Sequence, residues 1–213
     1  STTILMSGTL SPMEMYRDLL GFEPERTVMK SYASPFDKKN RLNIVCNSVS
    51  TRFAKRTDEQ FDKISLLASK VVNETPGNIA VFFPSYDVLK RSFFSLEKYS
   101  NKPMLIQQEN STPEENASIL ARFRAHATKG GAVLVGVQGG SFSEGIDLPG
   151  EELLGAVVVG IPLAQLTLET KGLIEYYDGK FAKGWEYGYI YPAISRALQA
   201  AGRVIRNETD RGV

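Results

Sequence analysis

Two short stretches of this chain hold residue types at spacings that suit phosphate chemistry. Gly140-Ser141-Phe142-Ser143-Glu144-Gly145-Ile146-Asp147 is a polar turn bracketed by glycines, directly after an apolar, strand-like run. Gly139, Gly140 and Gly145 allow backbone geometries and close approaches that a side chain blocks. Ser141 and Ser143 offer hydroxyls and amides to a phosphate. Glu144 and Asp147 are placed to accept hydrogen bonds from a ribose hydroxyl or to orient arginines. The second stretch, Gln199-Ala200-Ala201-Gly202-Arg203-Val204-Ile205-Arg206, carries one glutamine and two arginines at helical spacing. Planar guanidiniums beside a glutamine make a surface suited to a polyphosphate. Together the stretches read as one wall of a nucleotide site. The opposite wall is not in the sequence, because no G-x-x-x-x-G-K-[ST] phosphate loop occurs in the 213 residues.

Each stretch has a plainer reading. At about 100° per residue, Ile194, Leu198, Ala201 and Ile205 fall within roughly 60° of one another and predict the core stripe of a helix. Gln199, Arg203 and Arg206 then lie on the opposite face, as a solvated polar surface also would. Gly202 inside that helix costs about 1 kcal/mol relative to alanine and permits close approach of another backbone. A glycine-rich turn after a strand is by itself more often a turn than a site. Three further groups stay ambiguous on their own residues. Ser7-Gly8-Thr9 follows an apolar run and reads equally as a helix cap. Phe83-Pro84-Ser85-Tyr86 joins a strand end to a capping serine and an aromatic. Trp185, Tyr187, Tyr189 and Tyr191 crowd a segment that holds Lys180 and Lys183. Aromatics among bases stack on single-stranded bases, or fill a corner between two helices. His126, the only histidine, reads as a surface residue near a helix end. No His/Asp/Glu cluster has metal-ligand spacing, and no nucleophile–base pair stands out.

The elements that must position these residues alternate along the chain. Ser1 to Met6 reads as a strand that begins abruptly, as in a piece of a longer protein, and Pro12 to Leu20 as a short helix. After a Gly/Pro/charge-rich connector, Leu42 to Cys46 opens a regular alternation of elements. Asp58 to Asn73 is helical by the spacing of Phe61, Ile64, Leu67, Ala68 and Val71. Ile79 to Phe83 predicts a buried strand, and Ser85 caps a helix running to Tyr99. Met104 to Gln107 predicts another strand. Thr112-Pro113-Glu114-Glu115 carries a capping residue, a first-turn proline and a glutamate three residues on. Ala132 to Val137 and Ala156 to Ile161 are apolar without alternation, as strands buried on both faces are. The expected fold is α/β, a mostly parallel sheet with helices on both faces. Sites in such sheets gather at the carboxyl ends of the strands, where three polar turns fall: Pro84-Ser85-Tyr86, Gln138 to Asp147, and Pro162 onward.

Composition bounds the rest. A hydrophobic fraction of 42% and a charged fraction of 23% are ordinary for a globular chain. One cysteine, Cys46, excludes an internal disulfide and an all-cysteine metal site within these residues. No apolar run approaches the ~20 residues of a membrane span, no signal-peptide pattern occurs, and no membrane partner is expected. A net charge of +1 conceals asymmetry. Lys38, Lys39, Arg41, Arg52, Lys55 and Arg56 fall between positions 38 and 57 without an acid. Glu144, Asp147, Glu151, Glu152 and Glu169 fall between 130 and 170 without a base. The basic stretch suits phosphates or simple solvation equally.

The order of the pieces adds what each lacks. Ser7-Gly8-Thr9-Leu10, Phe82-Phe83-Pro84-Ser85-Tyr86, Ser143-Glu144-Gly145-Ile146-Asp147 and Gln199-x-x-Gly202-Arg203-x-x-Arg206 resemble, in sequence and spacing, motifs III to VI of the XPD-type superfamily-two DNA helicases, with the archaeal branch nearest. The resemblance implies a RecA-like second motor domain over residues 41–213, preceded by a lead-in and connector over 1–40. It implies an ATP-dependent, 5′-to-3′ single-stranded-DNA helicase of DNA repair as the parent. In that frame Arg203 and Arg206 are arginine fingers, with Gln199 beside them. Glu144, Gly145 and Asp147 link nucleotide to DNA, and Ser7, Gly8 and Thr9 couple two motor domains. Ser85, Tyr86, Gly140, Ser141, Ser143 and, from its aromatic setting, Trp185 are the DNA-side candidates. ATP and Mg²⁺ are shared with the first motor domain of the same polypeptide, and the family's iron–sulfur cluster is expected in the parent, outside this sequence. The phosphate loop and the Asp-Glu metal motif are absent here, and Ser141 stands where motif V often has lysine, so these residues alone are expected to be inactive as an ATPase. The expected compartment is cytoplasmic and nucleoid-associated for an archaeal parent, nuclear for a eukaryotic one. Two rivals are a DinG-like helicase or nuclease sharing this motor half, and a non-catalytic nucleic-acid-binding module.

Overall fold

Four parallel strands set the framework: β1 (Ile79–Phe83), β2 (Met104–Ile106), β3 (Val133–Val137) and β4 (Gly155–Val158), side by side in the order β2-β3-β1-β4. Ile79 stands opposite both Val133 and Gly155, and Met104 opposite Val133. β1 and β3 are buried at every position, which is why their sequences are runs of Val, Ala, Ile, Leu and Phe rather than alternations. The computed structural model describes residues 2–213.

Each sheet face carries its own core. Ile79, Val81, Phe83, Val133, Val135 and Val137 pack with Phe61, Ile64, Ala68 and Val72 of α2 (Asp58–Glu74) and Val88, Leu89 and Leu96 of α3 (Tyr86–Tyr99). Ala80, Phe82 and Leu134 pack on the other face with Phe123 of α4 (Pro113–Ala125), Phe142 of the one-turn helix α5 (Ser141–Glu144), Leu148, Leu153, Ala200 and Val204. Local caps start these helices. Ser85 Oγ accepts the Val88 N–H at 3.4 Å. Thr112 and Glu115 form a reciprocal capping box at 3.2 and 2.8 Å. Buried Asn78 ties the segments that lead into β1, β3 and β4 at the amino end of the sheet, donating to the Phe123 and Glu152 carbonyls and accepting the Ala132 N–H.

The chain divides into two compact units, one of residues 35–162 and 199–213 and one of residues 2–34 and 163–198. The first holds the sheet. The second contains α1 (Met13–Leu19), α6 (Leu168–Phe181), a π-helical turn at Glu186–Ile190 and most of α7 (Tyr191–Ala201). Its centre is Tyr187, whose hydroxyl donates to Asp18 Oδ2 at 2.7 Å and accepts from Lys183 Nζ at 3.2 Å. Gly184 and Gly188 close on Ile174: a Cβ at Gly184 would lie 2.3 Å from the Ile174 carbonyl oxygen. The aromatic crowding is thus a packed corner around Tyr187, with Phe181 and Tyr177 rings 5.7 and 6.4 Å away.

Several sequence expectations need correction. Residues 2–6 are not a strand, and Ser1 lies outside the described residues. Leu42–Cys46 is also no strand. Only one bridge, Arg41 to Gly212, forms there, and a strand needs a continuous partner to satisfy its backbone. β4 ends at Val158 rather than Ile161 and is only partly buried. His126 is the C-cap of α4 and partly exposed, with its carbonyl accepting the Lys129 and Gly131 N–H groups. The largest correction concerns α7, which stops at Ala201. Its buried positions are Ala193 and Ala200, followed by Val204 past the helix, whereas Leu198 is 56% exposed and Ala201 is exposed. The expected stripe of Ile194, Leu198, Ala201 and Ile205 is therefore not the buried one. The chain leaves the helix because Gly202 weakens it and because long-range bonds hold Arg203 and the turn after it. Asp210 Oδ2 accepts the backbone N–H groups of Arg206 and Asn207, each at 2.8 Å, and so closes that turn.

Candidate functional site

The carboxyl end of β3 opens into the glycine turn. Gly139 holds φ +79°, and a Cβ at Gly140 would come within 2.9 Å of Val137 and 3.0 Å of the buried Gln107 amide. The chain has to pass that close before α5 turns it back over Phe142. Ser143 is fully buried, and its hydroxyl donates to the Gly140 carbonyl at 3.0 Å. It is spent on the turn, not offered to a ligand, and that corrects its expected DNA-side role. Ser141 and Glu144 remain exposed. They line an open groove of about 580 Å³ with Ser111, Asn116, Gly139 and Gly140, in which Glu144 is the sole charged group. The carbonyl oxygen of the Asn116 side chain is buried there without a partner. Such a lining suits hydroxyl and amide donors rather than phosphate oxygens.

Arg203 and Arg206 lie past the end of α7, not on one helical face, and they do different things. Arg203 donates from Nε to the Ser143 carbonyl and from Nη1 to the Ile146 carbonyl, each at 2.8 Å. Burial and then the neighbouring Arg206 charge pull its pKa below the ordinary arginine value, against the opposing pull of Glu144 and Asp147. Arg206 is freer. Its Nε stands 3.6 Å from Asp147 Oδ1, and about a third of its side chain is exposed. Gln199 is half-buried, and among the described residues its side chain makes no hydrogen bond. Asp147 is held from a second side, because Arg124 Nη2 donates to its carbonyl at 2.8 Å while Arg124 Nε pairs with Glu152 at 2.9 Å.

The sequence motifs thus meet through backbone. Glu144, Gly145 and Asp147 sit on the turn that Arg203 grips, and Arg206 reaches the same turn through Asp147. Ser85 is tied up in its cap, and Tyr86 is half-buried with its ring against the core. Burial and then Glu109 raise the Tyr86 phenol above its ordinary pKa, partly offset by Lys90. In the other unit, the Ser7 and Thr9 hydroxyls stand 3.1 Å apart in an exposed turn around Gly8. Trp185 is 51% exposed, edge-on to Tyr189 at 5.3 Å. Sequence reasoning missed Gln138, Arg124 and Asp210. Gln138 is buried, and its Nε2 donates to the carbonyls of Phe82, Val159 and Gly160, lacing the ends of β1 and β4. A polar residue closing an apolar strand was the one signal available for it.

The helicase C-terminal domain family matches residues 68–213. The chain belongs to that family. All of this helicase C-terminal domain chain aligns with the Saccharomyces cerevisiae general transcription and DNA repair factor IIH helicase subunit XPD/RAD3 at 28% identity, over 29% of that protein. The Sulfolobus acidocaldarius ATP-dependent DNA helicase XPD shares 28% identity over 98% of this chain and 37% of its own length. The Photobacterium profundum ATP-dependent DNA helicase DinG also shares 28%, over 98% of this chain and 30% of its own. The chain therefore spans about a third of the length of the curated relatives it matches. A solved apo XPD structure superposes with a TM-score of 0.70 at 25% identity, covering 98% of this chain and 42% of that one. The XPD-type C-terminal motor domain inferred from four motifs agrees with these relatives, and the α/β fold agrees with that structure.

Proposed function

We propose that this domain is the second RecA-like half of an ATP-dependent helicase that moves 5′-to-3′ on single-stranded DNA in repair. The motor core runs over residues 41–213 in this reading, with 1–40 as lead-in and connector. One observation carries the proposal: the Arg206 guanidinium, about a third exposed, is held among the described residues only by a 3.6 Å ion pair with Asp147, while Arg203 bolts the same stretch to the Gly139–Asp147 turn. A loosely paired guanidinium on a rigid mount fits an arginine finger, which needs a fork able to turn to a γ-phosphate. The turn it is bolted to is the candidate DNA-side element, so nucleotide state is transmitted to the track through two hydrogen bonds.

ATP with Mg²⁺ is bound mainly by the first motor domain of the same polypeptide, and Arg206 is the residue of this chain that fits its terminal phosphate. The iron–sulfur cluster belongs to other parts of the parent. Ser7, Gly8 and Thr9 couple the two motor domains, and Trp185 contributes an exposed ring to DNA. The parent works on chromosomal DNA, in the nucleus or at the nucleoid.

Two measurements test this reading. In the intact helicase, Arg206→Ala lowers kcat for ATP hydrolysis by about 10³-fold, as loss of an arginine finger does, with DNA binding retained. The isolated chain hydrolyses ATP at background rate. An Arg206→Ala helicase with unchanged turnover removes the finger assignment.

A further inference from the structure

We infer that the loop Ser50–Arg56 is a contact site for single-stranded nucleic acid, with Phe53 as the stacking ring and Arg52 and Lys55 as phosphate partners. The inference rests on the DNA-motor reading above and adds a site to it. Three features of the loop carry it.

First, the loop is anchored. Thr51 packs against Gly160 so closely that a Cβ there would lie 2.2 Å from Thr51 Oγ1, and Gly160 holds φ +64°. Gln60 Nε2 donates to the Ser50 carbonyl at 3.3 Å, and Arg56 Nε to the Thr51 carbonyl at 3.0 Å. The Gly160 carbonyl also accepts Gln138 Nε2, so the loop stands at the carboxyl end of the sheet, where the glycine turn leaves β3. Ligands of open α/β sheets gather at that end.

Second, the anchoring presents an aromatic ring to water. Phe53 sits in a 3₁₀ turn (Phe53–Lys55) and is 87% exposed, with the Arg56 guanidinium 5.7 Å from its centroid. A single exposed apolar residue is common and needs no explanation. Here, however, the backbone on both sides of it is fixed, and its neighbours are cations.

Third, the nearby acids are already engaged. Asp87 pairs with Arg56 at 3.4 Å and Asp58 with Arg91 at 3.1 Å. Among the described residues, Arg52 and Lys55 form no ion pair. An exposed ring between two unpaired cations matches the sequence-tolerant recognition of single strands, in which nucleobases stack on aromatics and cationic side chains follow the phosphates.

The test is fluorescence anisotropy of a labelled oligo(dT) 20-mer with the 213-residue chain, across a salt series. Phe53→Ala weakens binding about tenfold and Phe53→Trp restores it, as loss and return of one stacked base require. Arg52→Ala with Lys55→Ala flattens the slope of log K against log salt by about 1.4, the loss of two single-strand phosphate contacts. Phe94→Ala, at a ring 75% exposed on α3, changes neither. Equal melting temperatures show that the variants fold. If the unaltered chain binds oligo(dT) while Phe53→Ala and the double variant bind equally well, this site is wrong and the motor reading stands. If the unaltered chain fails to bind at low salt, the DNA-motor reading fails and takes this site with it.

Discussion

The Nε of Arg203 lies 2.8 Å from the carbonyl oxygen of Ser143, sixty positions earlier in the chain. Ser143 is fully buried on the glycine turn, and Arg203 comes just after the last residues of α7. That bond, with its companion to Ile146, makes one mechanical piece of two segments that the sequence presents as separate motifs. It also separates the two arginines by task, since the guanidinium occupied with carbonyls is not the one held by a single long ion pair.

The separation predicts unequal stability effects. Arg203→Ala leaves the Ser143 and Ile146 carbonyls without their donors and is expected to cost about 1.5–3 kcal/mol, the range for hydrogen bonds to a charged group. Arg206→Ala removes a long, half-exposed ion pair and is expected to stay within about 0.5 kcal/mol of the unaltered protein. Urea denaturation of both variants decides it. Equal losses in the two would mean that the arginines share one role after all.

Asp210 makes a second stability prediction, at a residue no motif pointed to. Its buried carboxylate caps the Arg206 and Asn207 N–H groups. Asp210→Ala strands both donors and is expected to cost about 1–2 kcal/mol, as loss of a capping residue does. Asp210→Asn keeps one acceptor oxygen and is expected to recover part of that loss. A thermal melt that does not distinguish alanine from asparagine would show that the retained amide oxygen does not replace the carboxylate as acceptor.

What the sequence made legible was local. β1 came out residue for residue, the Thr112–Glu115 box formed as its spacing requires, and Ser85 capped the helix it precedes. The two caps span three residues, and β1 was marked by an unbroken apolar run within its own five residues. The end of α7 was not legible. Apolar residues keep helical spacing from Ile194 to Ile205, yet the chain turns after Ala201 because Asp210 and the carbonyls of a distant turn supply better partners than another helical turn would. Leu42–Cys46 failed for the same kind of reason, since strand propensity gives nothing without an adjacent edge. The candidate site divides likewise. Its residue types could be read in order, but the assignment of Arg203 to structure, and the service of Gln138 and Arg124, depend on contacts between elements far apart in sequence.

Two glycines with left-handed backbone give a matched pair. Gly131 holds φ +85°, and a Cβ there would lie 2.2 Å from the Gly77 carbonyl group, backbone that cannot swing aside. Gly150 holds φ +58° with nothing within 4 Å of the same position. Gly150→Ala is expected to cost about 1–2 kcal/mol from backbone strain alone. Gly131→Ala adds the collision and is expected to cost about 3 kcal/mol or more. Chemical denaturation of the two variants measures the difference. Similar losses would mean that the Gly77 backbone yields.

The Asp18–Tyr187 contact gives a pH dependence. Burial alone would raise the Asp18 carboxyl, but the Tyr187 hydrogen bond, the Arg17 hydrogen bond and charge, and Lys183 outweigh it, so its pKa lies below the ordinary aspartate value. A carboxyl lowered on folding contributes stability that is fully present above the unfolded-state pKa of about 3.9 and is lost as pH falls through the folded value. The contact therefore stabilises the unit of residues 2–34 and 163–198 at neutral pH and releases it in acid. Tyr187→Phe removes the hydrogen bond donated at 2.7 Å while keeping the ring among Tyr177, Phe181 and Tyr191. The variant is expected to melt lower than the unaltered protein at neutral pH and to converge on it as pH drops below the folded value. A gap between the two melting curves that stays constant from neutral pH into strong acid would assign the loss to packing rather than to the Asp18 charge.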